Sequence, residues 1–566
     1  MAGKGVRLQY VTVDYAASSL EGAEQKLLEG WLLKTDQEML DGPITRRLAI
    51  VDIEPNTGAL VPGARYQAAT PTRHYGHYAI ADQTDPTEPA FQQVSVFTTV
   101  LAVMDMFEEP DVLARPLRWA FDGEQLLVVP RAGRMANAFY HRDSRSLQFF
   151  FFDALGPDGQ TIKEIFTCLS PDIIAHEATH AILDGIAPDL FEASSPQSLA
   201  LHEAIADLGA VMFAIRTDAL RKQALDLSKG DLSKPGAFNS VAVVFGSAIN
   251  GSDRPLRDLH NAASLKPEAF PPINRNRPHE LSTVLSGALY ALLVEAHTRE
   301  KNALVDAMVP PPEDRAAALF SASGKALFKA GEKFKRMAFR ALDYLPPGEI
   351  SFADYGRAIL AADIASNPDP SWERDFLKDE FVKRGIVAAP EDLDPVATAL
   401  VIPDDLDFDE MIADDAVARR FVEANRGALM ISPGLDFEVR RRLDVAKTTW
   451  RHEIGKAVAR ELILKVAWRK TQRIQRFGLS DKINVAYGTM LAIDWTARTP
   501  RALLSTSSLH PSQANDPTGN AAMRGAYIAH LAEEGLLDAA SAEIADGALR
   551  LRGTGQLLHV CGDAHV

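Results

Sequence analysis

Cysteine is nearly absent: Cys168 and Cys561 are the only two in 566 residues, far apart and without metal-motif spacing. That excludes a disulfide framework and a cysteine-built zinc cluster. The chain has no run of about 18 apolar residues, and its N-terminal stretch leads into no apolar core of signal-peptide type. The expectation is a protein without membrane segments, cytoplasmic unless exported by a signal-free route. Basic residues are outnumbered, 60 Lys and Arg against 76 Asp and Glu, for a formal net charge of -16. This balance argues against a nucleic-acid partner. Internal repeats and low-complexity tracts are also missing. With 46% hydrophobic residues the chain is long enough for more than one core, and two to four domains are expected.

Histidine is sparse as well, but two of the 14 stand four residues apart in a stretch that begins at Ser170-Pro171 and runs through His176-Glu177-Ala-Thr-His180 to Asp184-Gly185. On a helix, residues four apart share a face, so His176 and His180 can offer two imidazole nitrogens to one metal ion. A catalytic zinc site takes about three protein ligands and leaves one position open. Glu203, in a second helix-like run after His202, is the candidate third ligand. Asp207, one turn further along the same face, is placed to accept the other ring N–H of a ligand histidine and fix its tautomer. Glu177 is not a ligand in this scheme. It takes the proton from a water that the ion acidifies to a pKa of about 7, and returns it to the leaving amine.

In order, spacing and flanks, these motifs resemble the thermolysin-like neutral metallopeptidases, over roughly residues 45–390. The resemblance implies an α+β fold: a two-lobed zincin with a β-rich lobe over residues 1–170 and a helical lobe over 171–390. It implies one catalytic Zn2+ and a peptide or protein substrate. Asn137-Ala138-Phe139-Tyr140 looks like the edge strand on which such enzymes pair an extended peptide, so Asn137 and Ala138 are expected substrate contacts. His279, in Pro278-His279-Glu280-Leu281, is similar to the family's transition-state histidine. Arg257 resembles the arginine that grips the substrate carbonyl. Ile173 and Leu256 fall where the family has apolar liners, implying Leu- or Phe-like side chains on the leaving-group side.

The sequence also departs from the pattern. Phe191 stands where the family carries an oxyanion-binding tyrosine, and phenylalanine has no donor. Asn274 replaces the acidic partner of the histidine. Asp172 matches a calcium ligand, but Ala214 stands where a bridging glutamate belongs, so the double calcium site is expected to be absent. These departures motivate an alternative in which the chain holds zinc without turnover and serves as a binding module. A third reading is a narrow peptidase restricted by its C-terminal part.

Periodicity predicts helices over residues 19–33, 91–108, 281–300, 312–344 and 352–365, and strands over 117–130 and 139–153. His74 and His77 read as ordinary surface histidines. After Pro390 an acidic stretch, residues 404–415, opens a separate α+β domain over 391–566 with no resemblance to name. Its basic stretch, from Val439 to Arg476, reads as helical, a solvated face or a dock for a protein partner. Cys561 and His565 make a weak metal pair at most.

Overall fold

The computed structural model describes residues 5–11, 28–34, 37–155, 161–234, 238, 240–241, 257–395, 400–451, 455–477, 480–506, 520–537, 542–545, 548–551 and 554–555. Leu256, Cys561 and His565 lie outside them. The architecture is α+β, with helices and several separate sheets.

Strands β1 (Gly5–Val11), β2 (Leu28–Lys34), β3 (Leu48–Ile50), β4 (Tyr66–Gln67) and β5 (Tyr75–Tyr78) precede helix α1 (Pro89–Glu108). Strands β6 (Leu126–Val129), β7 (Ala138–His141), β8 (Ser146–Phe149), β9 (Phe151–Leu155) and β10 (Thr161–Phe166) follow it. They make one sheet of order β2-β1-β5-β4, a second of order β3-β6-β8-β7 and a β9-β10 hairpin. The expected helix over 19–33 is corrected in its last part, which forms β2 and pairs Trp31 with Leu8 of β1. The expected strand over 139–153 divides into three, and Arg145, with a φ of 57, turns the chain between the first two. Of 117–130, only β6 is strand.

Helix α1 is apolar enough to be buried nearly all round, and its Gln93 side chain is satisfied inside. Gln93 Oε1 accepts from Ala64 N at 2.8 Å, and its Nε2 donates to Asp52 Oδ2 at 2.8 Å. Against it packs α2 (Pro171–Ile186), followed by α3 (Pro196–Arg216) and α4 (Asp218–Ser228). A two-residue pairing of β11 (Ser240–Val241) with β12 (Arg257–Asp258) precedes α5 (Pro278–Asp306), α6 (Arg315–Arg340), α7 (Phe352–Ser366) and α8 (Trp372–Lys383). Helices α1 and α3 are long and apolar enough to cross a membrane by composition, but 83% and 94% of their most apolar windows are buried inside the fold.

The C-terminal part contains α9 (Phe408–Ala413), α10 (Asp415–Ala424), β13 (Glu438–Val439), β14 (Leu443–Arg451), β15 (Gly455–Phe477), β16 (Ser480–Asp494) and β17 (Pro500–Ser505). Helix α11 (Asn520–Glu533) and strands β18 (Ala542–Ala545) and β19 (Ala548–Leu551) follow. The basic stretch expected to be helical is strand instead. Both faces of β15 are covered, so its alternation is hidden from the sequence. Ile463 joins the main core that runs back to α1, while Leu462, Leu464, Val466 and Trp468 pack on the α9–α10 layer. The boundary expected near 390 is therefore not a boundary in the core: Val445, Met490, Ala492 and Leu504 belong to the same apolar cluster as α2 and α3.

That shared face also carries buried charge. Asp343, just after α6, receives Lys447 Nζ at 2.6 Å and Arg115 Nη2 at 2.6 Å, and both Asp343 and Lys447 are fully buried. Glu461 of β15 takes Arg501 at 2.6 Å and Tyr344 Oη at 3.1 Å. Such pairs gain little net stability but punish misplaced docking, because each charge is costly without its partner.

Candidate metal centre

Helix α2 begins at Pro171, whose fixed φ suits a first turn. Ser170 stands at the N-cap, but its hydroxyl donates to Asp172 rather than capping the helix. Helix α3 crosses α2 closely because Gly209 has no side chain: a Cβ there would lie 2.1 Å from Thr179 Oγ1. The close crossing brings the carboxylate of Glu203 to the two histidines of α2.

The three groups converge. His176 Nε2 and His180 Nε2 are 3.0 Å apart, and the Glu203 carboxylate lies 3.5 Å from each. Ligands about 2.0–2.1 Å from a tetrahedral ion stand about 3.3 Å from one another, which these three edges match. Ring orientation follows from the opposite nitrogens. His176 Nδ1 lies 3.1 Å from Asp207 Oδ1, and His180 Nδ1 lies 2.6 Å from His202 Nδ1. With those Nδ1 protons donated outward, both Nε2 lone pairs face inward toward a carboxylate, an arrangement that suits a cation between them. Burial by itself would raise the Glu203 carboxyl, but the His279 and His180 imidazoles and hydrogen bonds from His176 and His279 hold it well below the usual range. His176, Glu177 and His180 form a buried group able to hold one metal ion.

Glu177 lies beside this point and faces the sheet. Its Oε2 accepts from the backbone N of Tyr140 at 3.0 Å. Strand β7 is the outer strand of its sheet, pairing Phe139 with Gln148 and His141 with Ser146 on β8. By antiparallel alternation, the outward N–H groups are those of Ala138 and Tyr140. Ala138 N is held at 2.8 Å by Asn137 Oδ1. The strand is anchored to the end of α2, since Tyr140 Oη donates to Asp184 Oδ2 at 2.9 Å and Arg142 Nε to the same oxygen at 2.8 Å.

The chain matches no protein-family model and no curated protein.

Of the residues expected from the sequence, His176, His180, Glu203, Glu177 and Asp207 meet in one cluster, and His279 joins them with Nε2 3.3 Å from Glu203 Oε2. Its side chain is 23% exposed, so it stands at the open side. Ile173 is buried on α2. Arg257 belongs to β12, and its side chain is outside the described part. Asn274 turns its Oδ1 to Asn276 N at 3.0 Å.

Phe191 is only 1% exposed and packs against Tyr140, His202 and the Arg142 guanidinium. It braces the site from behind. The loop it occupies, residues 187–195, is pinned by the C-terminal part: Gly555 N donates to Phe191 O at 2.8 Å, Thr554 Oγ1 to Ala193 O at 2.7 Å, and Arg440 meets Asp189 at 3.2 Å. His202 and the Tyr140 N–H were not assigned from sequence. His202 adjoins Glu203, so on a helix it points about 100° away, and its role shows only in the fold, where its ring stacks on His180 at 4.8 Å and its Nδ1 meets His180 Nδ1 at 2.6 Å. A second acidic group, Glu109, Asp111 and Glu332, surrounds the buried Lys335 amine and is neutralised by it, Arg216 and Arg336.

Proposed function

We propose that the protein is a zinc-dependent endopeptidase of the thermolysin-like kind, with a β-rich and a helical lobe meeting at the metal centre. One observation carries this reading: two imidazole nitrogens and a fully buried carboxylate converge with edges of 3.0 to 3.5 Å, while a further carboxylate, Glu177, stands beside them against the open edge of a sheet. Two imidazoles and one carboxylate suit zinc and leave a position free. Bound there, zinc would act as a Lewis acid on a peptide carbonyl and acidify water.

The chain's own residues do the rest. An extended peptide lies along β7 and hydrogen-bonds to Ala138, displacing the Asn137 carboxamide from its N–H. Glu177 accepts a proton from the attacking water and delivers it to the leaving amine nitrogen. His279 turns its Nε2 from Glu203 to the oxyanion, and a donor of this kind contributes about 3 kcal/mol to the transition state. Asp207 and His202 keep the two ligand rings in place. Arg257 remains the candidate grip on a substrate carbonyl. The proposed substrate is a peptide or protein with Leu- or Phe-like residues after the cleaved bond, as the resemblance of Ile173 to the family's apolar liners implies.

A second reading, a zinc-holding binding module, draws on Phe191: its ring is buried behind the site and offers no hydroxyl to an oxyanion. Hydrolysis of a mixed peptide library by the protein and by Glu177→Ala, with metal content measured on both, separates the two. The peptidase reading expects about one zinc in each and cleavage by the unsubstituted protein alone. Zinc in both with cleavage by neither would leave the binding module.

A further inference from the structure

A cleft of about 760 Å³, lined by no residue of β7, lies at the junction of three parts of the chain. One wall is the segment after α1 that carries Arg115 and Arg118, a second is the α9–α10 corner, and the third is the start of β14 with Arg441 and Arg442. Four guanidinium groups thus line a cavity in a chain whose net charge is -16.

Two of the four have carboxylate partners, although Asp343 is shared with Lys447. Arg115 is paired with Asp343 and Arg442 with Asp415. Asp444, which also lines the cleft, is taken up by Arg460 at 2.7 and 2.8 Å. The neighbouring Arg440 meets Asp189 and Glu438. Arg118 and Arg441 have no carboxylate within ion-pair distance among the described residues. Residues 440 and 442 reach acids, while Arg441 lines the cleft together with Arg118 and Arg115. Partial burial first, then the charges of Arg118 and Arg115, lower the Arg441 guanidinium below its usual range. Like charges held together in a partly desolvated cleft oppose folding unless an anion joins them. The fork of a guanidinium fits phosphate oxygens two at a time. Between the arginines the lining is apolar, from Pro116, Ile412 and Leu443, and the volume is that of a small-molecule site.

We propose that this cleft binds a small phosphate-bearing anion, with Arg118 and Arg441 gripping the phosphate and the apolar wall receiving an organic body. Because the walls come from three parts of the chain, the bound anion ties the N-terminal segment to the C-terminal sheet.

The test is equilibrium titration of the full-length protein with AMP and with inorganic phosphate, against sulfate at matched ionic strength. Arg118→Gln/Arg441→Gln is titrated beside it, and melting temperatures are recorded without anion. The expected result is saturable binding of one anion per chain, weakened at least about tenfold in the double variant, whose unliganded melting temperature is unchanged or higher because the repulsion is gone. AMP binding more tightly than phosphate shows that the apolar wall is used; equal affinities show recognition of the phosphate alone. The proposal is overturned if neither phosphate species binds below about 10 mM, if sulfate binds as well as both, or if the double variant binds as the unsubstituted protein does.

Discussion

Gly209→Ala measures how closely α2 and α3 must approach for the metal ligands to meet. The added Cβ would lie 2.1 Å from Thr179 Oγ1 and 2.9 Å from both its Cβ and Cγ2. Rotating the threonine removes the first clash but not the second, since the Thr179 Cβ is fixed by the backbone. Restoring a contact of 3.4 Å then requires the helices to part by about 0.5 Å with rotation, or about 1.3 Å without it. Glu203 lies about 9 Å along the same helix and moves with it, whereas metal ligand distances tolerate about 0.2 Å. Metal affinity should fall on the order of 10–100-fold, as when ligand-orienting groups are lost. Overpacking costs about 1–3 kcal/mol and alanine regains about 1 kcal/mol of helix propensity, so the net loss of stability is ~0–2 kcal/mol. Competition with a chromogenic chelator reads the affinity, and urea unfolding reads the stability. Thr179→Ala in the same chain should recover part of both, with a coupling of about 0.5–3 kcal/mol. Unchanged metal affinity in Gly209→Ala would refute the reasoning, because the ligand geometry would then not depend on this crossing.

Two further outcomes concern the buried charges between α6 and the C-terminal sheet. Asp343→Asn strips Lys447 and Arg115 of their carboxylate and should cost about 3–5 kcal/mol in urea unfolding; a loss under 1 kcal/mol, measured against ~3 expected, would mean water reaches the pair. Burial, only partly opposed by Asp343, pushes the Lys465 amine down to about 8 from its ordinary value of 10.5. In the folded protein this lysine gives up its proton first, so between pH 8 and 10.5 the unfolded state binds more protons and stability rises with pH. Lys465→Met should flatten that rise in urea midpoints, and an equally steep rise in the variant would assign it elsewhere.

The metal helix was readable because its chemistry is local: His176 and His180 share a face by helical spacing alone, whatever surrounds them. Glu203 and Asp207 needed one further inference, that a second helix lies alongside. The edge strand at Ala138 was legible from its resemblance and its aromatic surroundings. What failed depended on tertiary burial. Strand β15 has apolar residues on both faces and arginines at its ends, so neither period 2 nor period 3.6 stands out, and the density of charge suggested a helix. Asp343, Lys447 and Glu461 conceal the shared core in the same way, since buried charges read as surface in a sequence. Phe191 was placed by alignment at a reactive position, but its ring is packed beneath His202. The role of the Tyr140 backbone N–H leaves no trace in residue identity.

The contact of Thr554 and Gly555 with residues 191–193 has a consequence for biogenesis. The loop joining the two helices of the candidate metal centre rests on residues synthesised long after it. At about 5–20 residues per second, the interval between the emergence of Glu203 and that of Gly555 is on the order of 20–70 s. Throughout that interval α2 and α3 can form, but the contacts that pin the Phe191 loop behind His202 are missing. A chain stopped between residues 279 and 554 would carry every residue of the candidate metal cluster and still lack the contacts of Thr554 and Gly555 with residues 191–193.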